Sequence, residues 1–389
     1  MNILLISSYS FTEPFHGGQV RASNIANFYK KMGCQVQCIG ILSSDDYLLE
    51  KGFISRPSIK ELSKVIKNYS NFEDYIVGYI AANYKKYFDL LFSKILFKPD
   101  IIQLEHPWFI DFALKIKSKY FKNAKIIYSS HNNEYDLKKK LVNSSLSGAL
   151  RSIRAIEIKA LSKAEHVISV SENNKRYNDN FSTSPSIIIQ NGTNEIKFKR
   201  EDIPKAFLKI AKKYALFYAS SYKPNVDGFF YYLTDYFGSI PPDKYLVIAG
   251  DVSYEILKDE RFKKLQFIHN KTVILGRVNR NILNFLIKSS HSILLPLQIG
   301  EGTSLKTAEA IYSKKYIIAT PVSMRGFESF NKSSQILLST SPAEFKRNLL
   351  ESFRLRPNKF SKNEIIKRNN LLWKNCLMPL AKNINYEKK

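Results

Sequence analysis

The feature that most constrains the fold is a repeated alternation of short apolar runs and helical stretches. The chain begins with "NILLISS", an apolar run that ends in small polar residues, and "HGGQV" then leads into a helical stretch that ends at Gly33. A second apolar run, "CQVQCIGI", follows at residues 34–41. A strand, a glycine turn, a helix and another strand form one βαβ unit, which predicts a parallel sheet.

The same alternation continues along the chain in two series. The first series predicts further strands at residues 100–106, 124–132, 166–172 and 186–192. The second series predicts strands at residues 214–221, 245–251, 272–278, 292–298 and 316–321. Each series predicts a doubly wound, Rossmann-like α/β domain, and such domains bind ligands at the carboxyl ends of their strands. We therefore expect two of these domains in tandem, facing a cleft.

A polar, lysine-rich piece, "NGTNEIKFKREDIPK" at residues 191–205, is the predicted joint between the two series. We predict an N-terminal domain at residues 1–195 and a C-terminal domain at residues 196–365. Residues 366–389 carry Ile, Leu and Trp at helical spacing, and we predict that they form a C-terminal helix that packs back on a domain.

The net charge of +26 is high and is spread over both halves of the chain. Residues 1–200 hold 29 Lys and Arg against 18 Asp and Glu, a net charge of +11, and residues 201–389 hold 31 against 16. Such an even excess favours anionic partners, such as nucleotides, phosphorylated lipids or an anionic membrane face. It argues against nucleic acid as a partner, because a nucleic-acid binder concentrates its basic residues on one face.

Cysteine usage and the N-terminal sequence indicate the cellular compartment. Cys34, Cys38 and Cys376 are odd in number and lack the spacing of metal ligands, which favours a reduced, cytoplasmic setting. The apolar run at the N-terminus has no preceding basic segment, so we interpret it as a strand and not as a signal peptide. We expect a cytoplasmic protein, with peripheral attachment to the inner face of the plasma membrane as an open alternative.

The stretch "LQIGEGTSLKTAEAIYS", residues 297–313, leads from an apolar strand into a helix through two glycines. Backbone N–H groups at the start of a helix attract anions, phosphate above all. A glycine turn followed by a helix cap explains the same residues without any ligand. The choice between an anion site and a plain helix cap depends on the other segments of the chain.

Taken in order, the segments resemble glycosyltransferase family 4, whose members are retaining sugar-nucleotide transferases of the GT-B fold. The resembling segments are "HGGQVRASNIANFYKKMGCQVQCIG", "PDIIQLEHPWF", "SSHNNE", "IEIKALSKAEHVISVSENN", "IIIQNGTN", "YASSYKPNVDG", "LVIAGDVS", "VILGRVN" and "EGTSLKTAEAIYSKKYIIATPVSMRGF". The resemblance covers nearly the whole chain, and its E-x7-E motif is Glu301 and Glu309. It implies a UDP- or GDP-sugar as co-substrate, a glycan or lipid-linked acceptor, and no cofactor.

In the second domain, the resemblance implies that Glu309 holds the ribose and that Glu301 faces the donor hexose. The other implied donor-binding positions are Gly250, the backbone of Arg277, and the N–H groups of Gly302, Thr303, Ser304 and Leu305 at the β-phosphate. The position of the family's usual diphosphate arginine is occupied by Ser220, which leaves Lys223 as the only basic residue of that loop. We expect Lys306 to be the principal cation at the diphosphate, because it lies at the start of the predicted helix.

In the first domain, the resemblance implies that His131, in "YSSHNNE", faces the donor sugar. A lone histidine after a buried strand is otherwise a structural residue. Gly17 and Gly18 would let the N-terminal loop approach the phosphates closely, and a plain glycine turn is the alternative.

Other chemistries lack their motifs in this sequence. It contains no Asp-x-Asp, Gly-x-Gly-x-x-Gly, P-loop or Gly-x-Ser-x-Gly motif and no cluster with metal-ligand spacing. The resemblance implies a retaining hexosyltransferase that acts in bacterial cell-envelope polysaccharide synthesis, and the absence of Asp-x-Asp predicts that it needs no metal. A sugar-nucleotide epimerase of the same fold and a non-catalytic sugar-nucleotide-binding protein stay open as alternatives.

Overall fold

The computed structural model describes residues 1–14, 16–68, 70–142, 146–210, 214–233, 240–264 and 271–383. The chain divides into two compact units, the first comprising residues 1–190 with 376–389 and the second residues 191–375. In this division the predicted tail, residues 366–389, is shared between both units. Its last six residues, 384–389, lie outside the described part of the chain.

The first unit is an alternation of strands and helices. In chain order it contains β1 (Asn2–Ser7), α1 (Gly17–Lys31), β2 (Gln35–Ile41), β3 (Phe53–Ile54), α2 (Ile59–Val65), α3 (Glu73–Asn83), α4 (Lys85–Phe92), β4 (Ile101–Glu105), a 3₁₀ helix (Pro107–Phe109), α5 (Ile110–Lys119), β5 (Lys125–Ser129), α6 (Glu134–Leu141), α7 (Ser147–Lys163), β6 (His166–Ser169), α8 (Glu172–Asp179) and β7 (Ile187–Ile188). Its strands form one parallel sheet in the order β3-β2-β1-β4-β5-β6-β7.

The second unit repeats this plan. It contains a 3₁₀ helix (Arg200–Asp202), α9 (Lys205–Ile210), β8 (Tyr214–Tyr218), α10 (Lys223–Leu233), β9 (Tyr245–Ala249), α11 (Val252–Lys258), α12 (Glu260–Lys263), β10 (Thr272–Ile274), α13 (Arg280–Ser289), β11 (Ser292–Leu295), α14 (Leu305–Ser313), β12 (Tyr316–Ala319), a 3₁₀ helix (Glu328–Phe330), β13 (Ile336–Leu338), α15 (Pro342–Ser352) and α16 (Lys362–Asn369). Its parallel sheet has the order β10-β9-β8-β11-β12-β13.

The central strands are buried on both faces, as a parallel sheet covered by helices requires. The side chains of Ile3, Leu4 and Leu5 in β1 are fully buried, and so are those of Leu246, Val247 and Ile248 in β9. This is why the strands appear in the sequence as continuous apolar runs and not as alternating ones. The predicted α/β class with two doubly wound sheets is confirmed.

Two strands were not predicted from the sequence, β3 and β13. Each lies at one edge of its sheet and has only two or three residues. Runs this short carry no periodicity that separates a strand from a loop. The missed strands extend the sheets without changing the strand order at their centres.

The C-terminal segment packs back, as predicted, and it does so through helices. Arg368 of α16 is buried in the second unit, where its guanidinium donates two hydrogen bonds to Gln335 Oε1 at 3.1 and 2.9 Å and lies 3.9 Å from the ring centroid of Phe360. The chain then forms α17 (Trp373–Cys376) and α18 (Met378–Asn383), and Leu380 of α18 is buried in the first unit.

Candidate functional site

Both sheets place their first and fourth strands side by side, β1 beside β4 and β8 beside β11. At such a switch point the connections leave toward opposite faces of the sheet, and ligands bind at the carboxyl ends of the strands. We call the loops that follow β1, β4 and β5 the first edge (residues 8–14, 16–18, 105–106 and 130–134). The loops that follow β8 and β11 are the second edge (residues 219–225 and 296–306).

The second edge contains the start of α14. Gly302 has a φ of +64°, a left-handed conformation that favours glycine, and Ser304 is extended at φ −91°, ψ 125° as the N-cap. The Ser304 side chain accepts no capping hydrogen bond within the described chain, and the first turn of α14 carries no acidic residue. Asn191 steadies this loop, because its Nδ2 donates to Thr303 O at 3.0 Å and to Thr303 Oγ1 at 2.9 Å. A helix start of this kind presents N–H donors and positive potential to an anion.

Lys306, the second residue of α14, lies at this helix start. Its ammonium donates to Asn225 Oδ1 at 2.7 Å, and Asn225 Nδ2 in turn donates to Ser220 O at 3.1 Å. These bonds join the beginnings of α14 and α10, the helices that follow the two central strands. Burial lowers the pKa of the Lys306 ammonium from 10.5 to about 8. A diphosphate beside it would favour the charged form.

The structure separates the two lysines that the sequence offered for the diphosphate. Lys223, the first residue of α10, is paired with Asp227 on its own helix, with 2.6 Å between Nζ and Oδ2. Its side chain is 81% exposed, whereas Lys306 is half-buried and bonded to another element. The geometry therefore favours Lys306 for anion binding, although the role itself stays a prediction.

Glu309 is buried, 7% exposed, on the fifth residue of α14. Tyr218, the last residue of β8, donates its hydroxyl to Glu309 Oε2 at 2.8 Å, and Arg280 of α13 forms an ion pair with Oε1. Burial and this carboxylate together raise the pKa of Tyr218 well above its usual value. Glu309 is thus a buried acceptor held in one place, and not a solvated surface glutamate.

Glu301 lies in the glycine loop, and Arg325 approaches the same loop from the segment after β12. The Arg325 Nε donates to Gly302 O at 3.3 Å. Burial lowers the pKa of Arg325, and the charge of Glu301 opposes that change. No role for Arg325 was predicted, because it is 23 residues from Gly302 in the sequence. Arg325 is thus a second cation, besides Lys306, at the loop that leads into α14.

The remaining predicted donor-site residues, Gly250 and Arg277, have structural partners of their own. Gly250 has a φ of +91°, and a Cβ there would lie 2.3 Å from Ala219 O, so only glycine fits. The Arg277 guanidinium binds Asp251 through two hydrogen bonds of 2.9 and 2.8 Å, and its side chain is 66% exposed. Its backbone N–H donates to the Tyr254 hydroxyl at 3.4 Å.

The first edge contains two crossed histidine–glutamate pairs. His131 Nε2 lies 2.7 Å from Glu105 Oε2, and His106 Nδ1 lies 2.9 Å from Glu134 Oε1. The two imidazole centroids are 4.3 Å apart. Each glutamate is therefore close in sequence to one histidine and bonded to the other. The sequence singled out His131 but gave no role to His106, Glu105 or Glu134.

Burial and hydrogen bonding together set the charge of these groups. It lowers the pKa of His131 to about 4, with the charge of His106 acting in the same direction, so His131 is neutral at pH 7. Although burial opposes it, hydrogen bonding to His131 lowers the pKa of Glu105, and bonding to His106 does the same for Glu134. An ionised Glu105 makes His131 Nε2 the protonated nitrogen.

Glu157, on α7, positions the beginning of α6. Its Oε1 accepts the Glu134 N–H at 2.5 Å, and its Oε2 accepts the Tyr135 N–H at 3.2 Å and the Tyr177 hydroxyl at 2.9 Å. Burial raises the pKa of Glu157 to about 7, and the charge of Glu134 adds to this. Glu157 therefore fixes the first turn of α6, the helix that begins at Glu134.

Gly17 and Gly18 are the first two residues of α1. His16 caps this helix by accepting the Gln19 N–H at 3.4 Å, and Gln19 Oε1 accepts the His16 N–H at 3.3 Å. A Cβ on Gly18 would lie 3.1 Å from the Tyr9 hydroxyl oxygen, so close packing favours glycine here, whereas Gly17 is exposed. An approach of this turn to phosphate stays a prediction.

Two further properties concern the described residues as a whole. None of their His, Cys, Asp and Glu side chains form a group of three or more that could hold a metal ion. Among the same residues, no helix is both long enough and apolar enough to cross a membrane.

Comparisons with known proteins agree with this architecture. The family model described as Glycosyltransferase Family 4 matches residues 15–195, and the one described as Glycosyl transferases group 1 matches residues 212–353. No curated protein sequence matches the chain significantly.

Solved structures are similar over almost the whole chain. Sucrose-phosphate synthase from Thermosynechococcus elongatus gives a TM-score of 0.72 at 13% identity, covering 99% of this chain and 98% of that one. HepE of Anabaena, in complex with UDP, gives 0.64 at 12% identity, covering 99% and 100%. WaaG, a glycosyltransferase involved in lipopolysaccharide biosynthesis, gives 0.62 at 14% identity, covering 96% and 94%. Identities this low show a shared fold, and that fold is GT-B.

Proposed function

Since the chain belongs to the glycosyltransferases of family 4, we propose that it is a retaining hexosyltransferase that uses a nucleoside diphosphate sugar. The observation that carries the proposal is the start of α14 at the second edge, where the half-buried Lys306 and the buried Glu309 lie within the first two turns of the helix. A cation and N–H donors suit a diphosphate, and a fixed carboxylate suits the hydroxyls of a ribose.

The proposed chemistry depends on positioning and on charge. When the bond from the sugar to the diphosphate breaks, negative charge grows on the departing diphosphate. Lys306 and the N–H groups at the start of α14 would stabilise that charge in a partly buried site, where such interactions are strong. We assign no protein nucleophile, which suits a front-face reaction in which the diphosphate assists the acceptor hydroxyl and the configuration is retained.

The nucleotide is proposed to be UDP or GDP. HepE, which shares the fold, binds UDP, and this supports UDP as the first candidate. The test is a thermal-shift panel of UDP-, GDP- and ADP-sugars at about 100 times an expected Kd, where a bound ligand stabilises the folded state by about 2.7 kcal/mol. We expect one nucleotide series to raise the melting temperature. A panel with no shift at millimolar ligand would contradict the proposal.

Product analysis separates transfer from the alternatives. With the donor that the panel selects, a transferase forms a new glycoside when an acceptor is present, whereas an epimerase converts the donor without one and a binding protein converts nothing. We also propose that turnover needs no divalent metal and no other cofactor. Excess EDTA should leave initial rates within about twofold, and a complete loss that Mn²⁺ restores would show that a metal takes part.

The acceptor is proposed to be a glycan or a lipid-linked glycan of the bacterial cell envelope, at an anionic membrane surface. Two basic stretches of the first unit support this, "KIKSKYFKNAK" at residues 115–125 and "KKK" at 138–140. Not all of these lysines face solvent, since Lys117 is paired with Glu165, and Lys138 lies 2.9 Å from Asp74. Lys119, which lies over the ring of Tyr120, and Lys122 are exposed.

Liposome flotation tests this part of the proposal. Each well-placed lysine contributes about 1 kcal/mol at an anionic surface, and salt weakens that contribution. We expect binding to phosphatidylglycerol vesicles at low salt and none to phosphatidylcholine vesicles. Failure to bind anionic vesicles at low salt would leave a soluble glycan as the acceptor.

A further inference from the structure

His106 has a backbone conformation that is unusual for any residue with a side chain. At the end of β4 its φ is 108° and its ψ is 161°, a region that is almost restricted to glycine. Residues held in this way cluster at functional sites, because the surrounding structure must enforce the strain. A glycine would satisfy the backbone without strain, so the imidazole itself needs an explanation.

The contacts of His106 fix how its ring is presented. Nδ1 lies 2.9 Å from Glu134 Oε1, and Glu134 is 2% exposed. An ionised carboxylate there accepts the Nδ1–H, which leaves Nε2 as the ring nitrogen that can bond a further group. The ring lies between His131, at a centroid distance of 4.3 Å, and Trp108, at 6.4 Å, while Tyr9 meets it edge-on at 5.8 Å.

The ring is held firmly and yet is accessible. The side chain of His106 keeps 14% of its surface exposed, against 7% for His131 and 3% for Glu134. It is thus the most accessible member of the two crossed pairs, at the carboxyl edge of the sheet where the connections of β1 and β4 diverge. A single polar ring nitrogen among aromatic side chains suits one hydroxyl group of a polyol.

We propose that His106 contacts a hydroxyl group of the carbohydrate substrate through Nε2, with Glu134 as the positioning residue that fixes its ring. The proposal rests on the proposed function and names a substrate-contacting residue that the sequence did not indicate. The hydroxyl belongs either to the transferred sugar or to the acceptor sugar. Either sugar would offer a hydroxyl group to Nε2, and the experiment distinguishes the two.

The experiment compares His106→Ala with the wild-type protein, and His166→Ala is the matched control, since His166 begins β6 at the opposite end of the same sheet. UDP-glucose is the first probe, replaced by another donor if the nucleotide panel selects one. Release of the nucleoside diphosphate is measured in water alone and with free glucose as acceptor. UDP binding is measured by calorimetry.

We expect His106→Ala to lower turnover at least tenfold, while UDP affinity stays within twofold and His166→Ala behaves as the wild type. Loss in both reactions assigns the hydroxyl to the donor sugar, and loss with glucose alone assigns it to the acceptor. Both rates within twofold of the wild type would overturn the inference while leaving the proposed function intact. A wild-type protein that binds and converts no donor would overturn the proposed function, and this inference with it.

The melting temperatures of two variants test the backbone strain at His106. His106→Gly and His106→Ala lose the same imidazole, but only glycine relaxes the backbone. We therefore expect His106→Gly to melt several degrees above His106→Ala, with equally low turnover. If His106→Ala were the more stable of the two, the strain on which the inference depends would be absent.

Discussion

The two edges of the molecule have the same topology and opposite chemistry. In each, the first and fourth strands of a parallel sheet lie side by side and their connections diverge. The second edge presents the start of α14, with Lys306 on that helix and Arg325 on the segment after β12. Glu309, which is bonded to Tyr218 and Arg280, lies further along α14. The first edge presents the imidazoles of His106 and His131, whose carboxylate partners are buried. The strand order creates both crevices, and the loops decide that one suits an anion and the other an uncharged polyol.

Removing the cation of the second edge should have the largest effect on turnover. Lys306→Met should reduce turnover at least 100-fold, because removing one preorganised charge from a partly buried site costs roughly 3 kcal/mol. Lys223→Met should stay within about threefold, since that side chain is exposed and paired with Asp227. Steady-state kinetics of both variants, with the donor selected by the panel, is the measurement. The reverse order would assign the diphosphate to Lys223.

The carboxylate of the same edge should have the next largest effect. Glu309→Gln keeps an acceptor for Tyr218 but loses the charge, and it should weaken donor binding at least tenfold, about 1.4 kcal/mol. Glu351→Gln, on an exposed position of α15, is the matched control. Calorimetric titration gives both affinities. Unchanged binding to Glu309→Gln would remove the ribose assignment and leave Glu309 as the partner of Tyr218 and Arg280 only.

Glu157, which bonds the backbone of Glu134 at the first edge, should make the stability of the protein depend on pH. Because the pKa of Glu157 is raised from 4.5 to about 7 in the folded protein, its contribution to stability is fully present below about pH 4.5 and is lost as the pH rises through 7. The loss amounts to about 3 kcal/mol at most. Urea unfolding between pH 5 and 8 should show this fall in the wild type and in the exposed control Glu172→Gln. Glu157→Gln should flatten it, and parallel curves for all three proteins would refute this role for Glu157.

The sequence predicted those features whose signal is local. Buried parallel strands appear as apolar runs, so both sheets were predicted, and the motif at residues 300–309 lies on one loop and one helix. The other contacts join distant residues. Asn225 is 81 residues from Lys306, and Tyr218 is 91 residues from Glu309. A single sequence contains no pattern that pairs such residues.

His106 shows the same limit in another form. Its positive φ places a side chain where glycine is expected, and the sequence "LEHPWF" gives no warning of it. The crossed pairing with Glu134 depends on how the ends of β4 and β5 meet, and this becomes visible only once the sheet is assembled. The unpredicted part of the candidate site is therefore the part that long-range packing creates.

The central claim is that Lys306 at the second edge binds the charged part of the donor and that the histidines of the first edge do not. It is tested most directly by titrating UDP or GDP, whichever the panel selects, into two variants. Lys306→Met should bind the free nucleoside diphosphate at least 30-fold more weakly than the wild type, because it lacks the cation. His131→Ala should bind it within twofold of the wild type, since neutral His131 has no charge to offer a phosphate. If His131→Ala lost as much affinity as Lys306→Met, or if Lys306→Met lost none, the account would be contradicted.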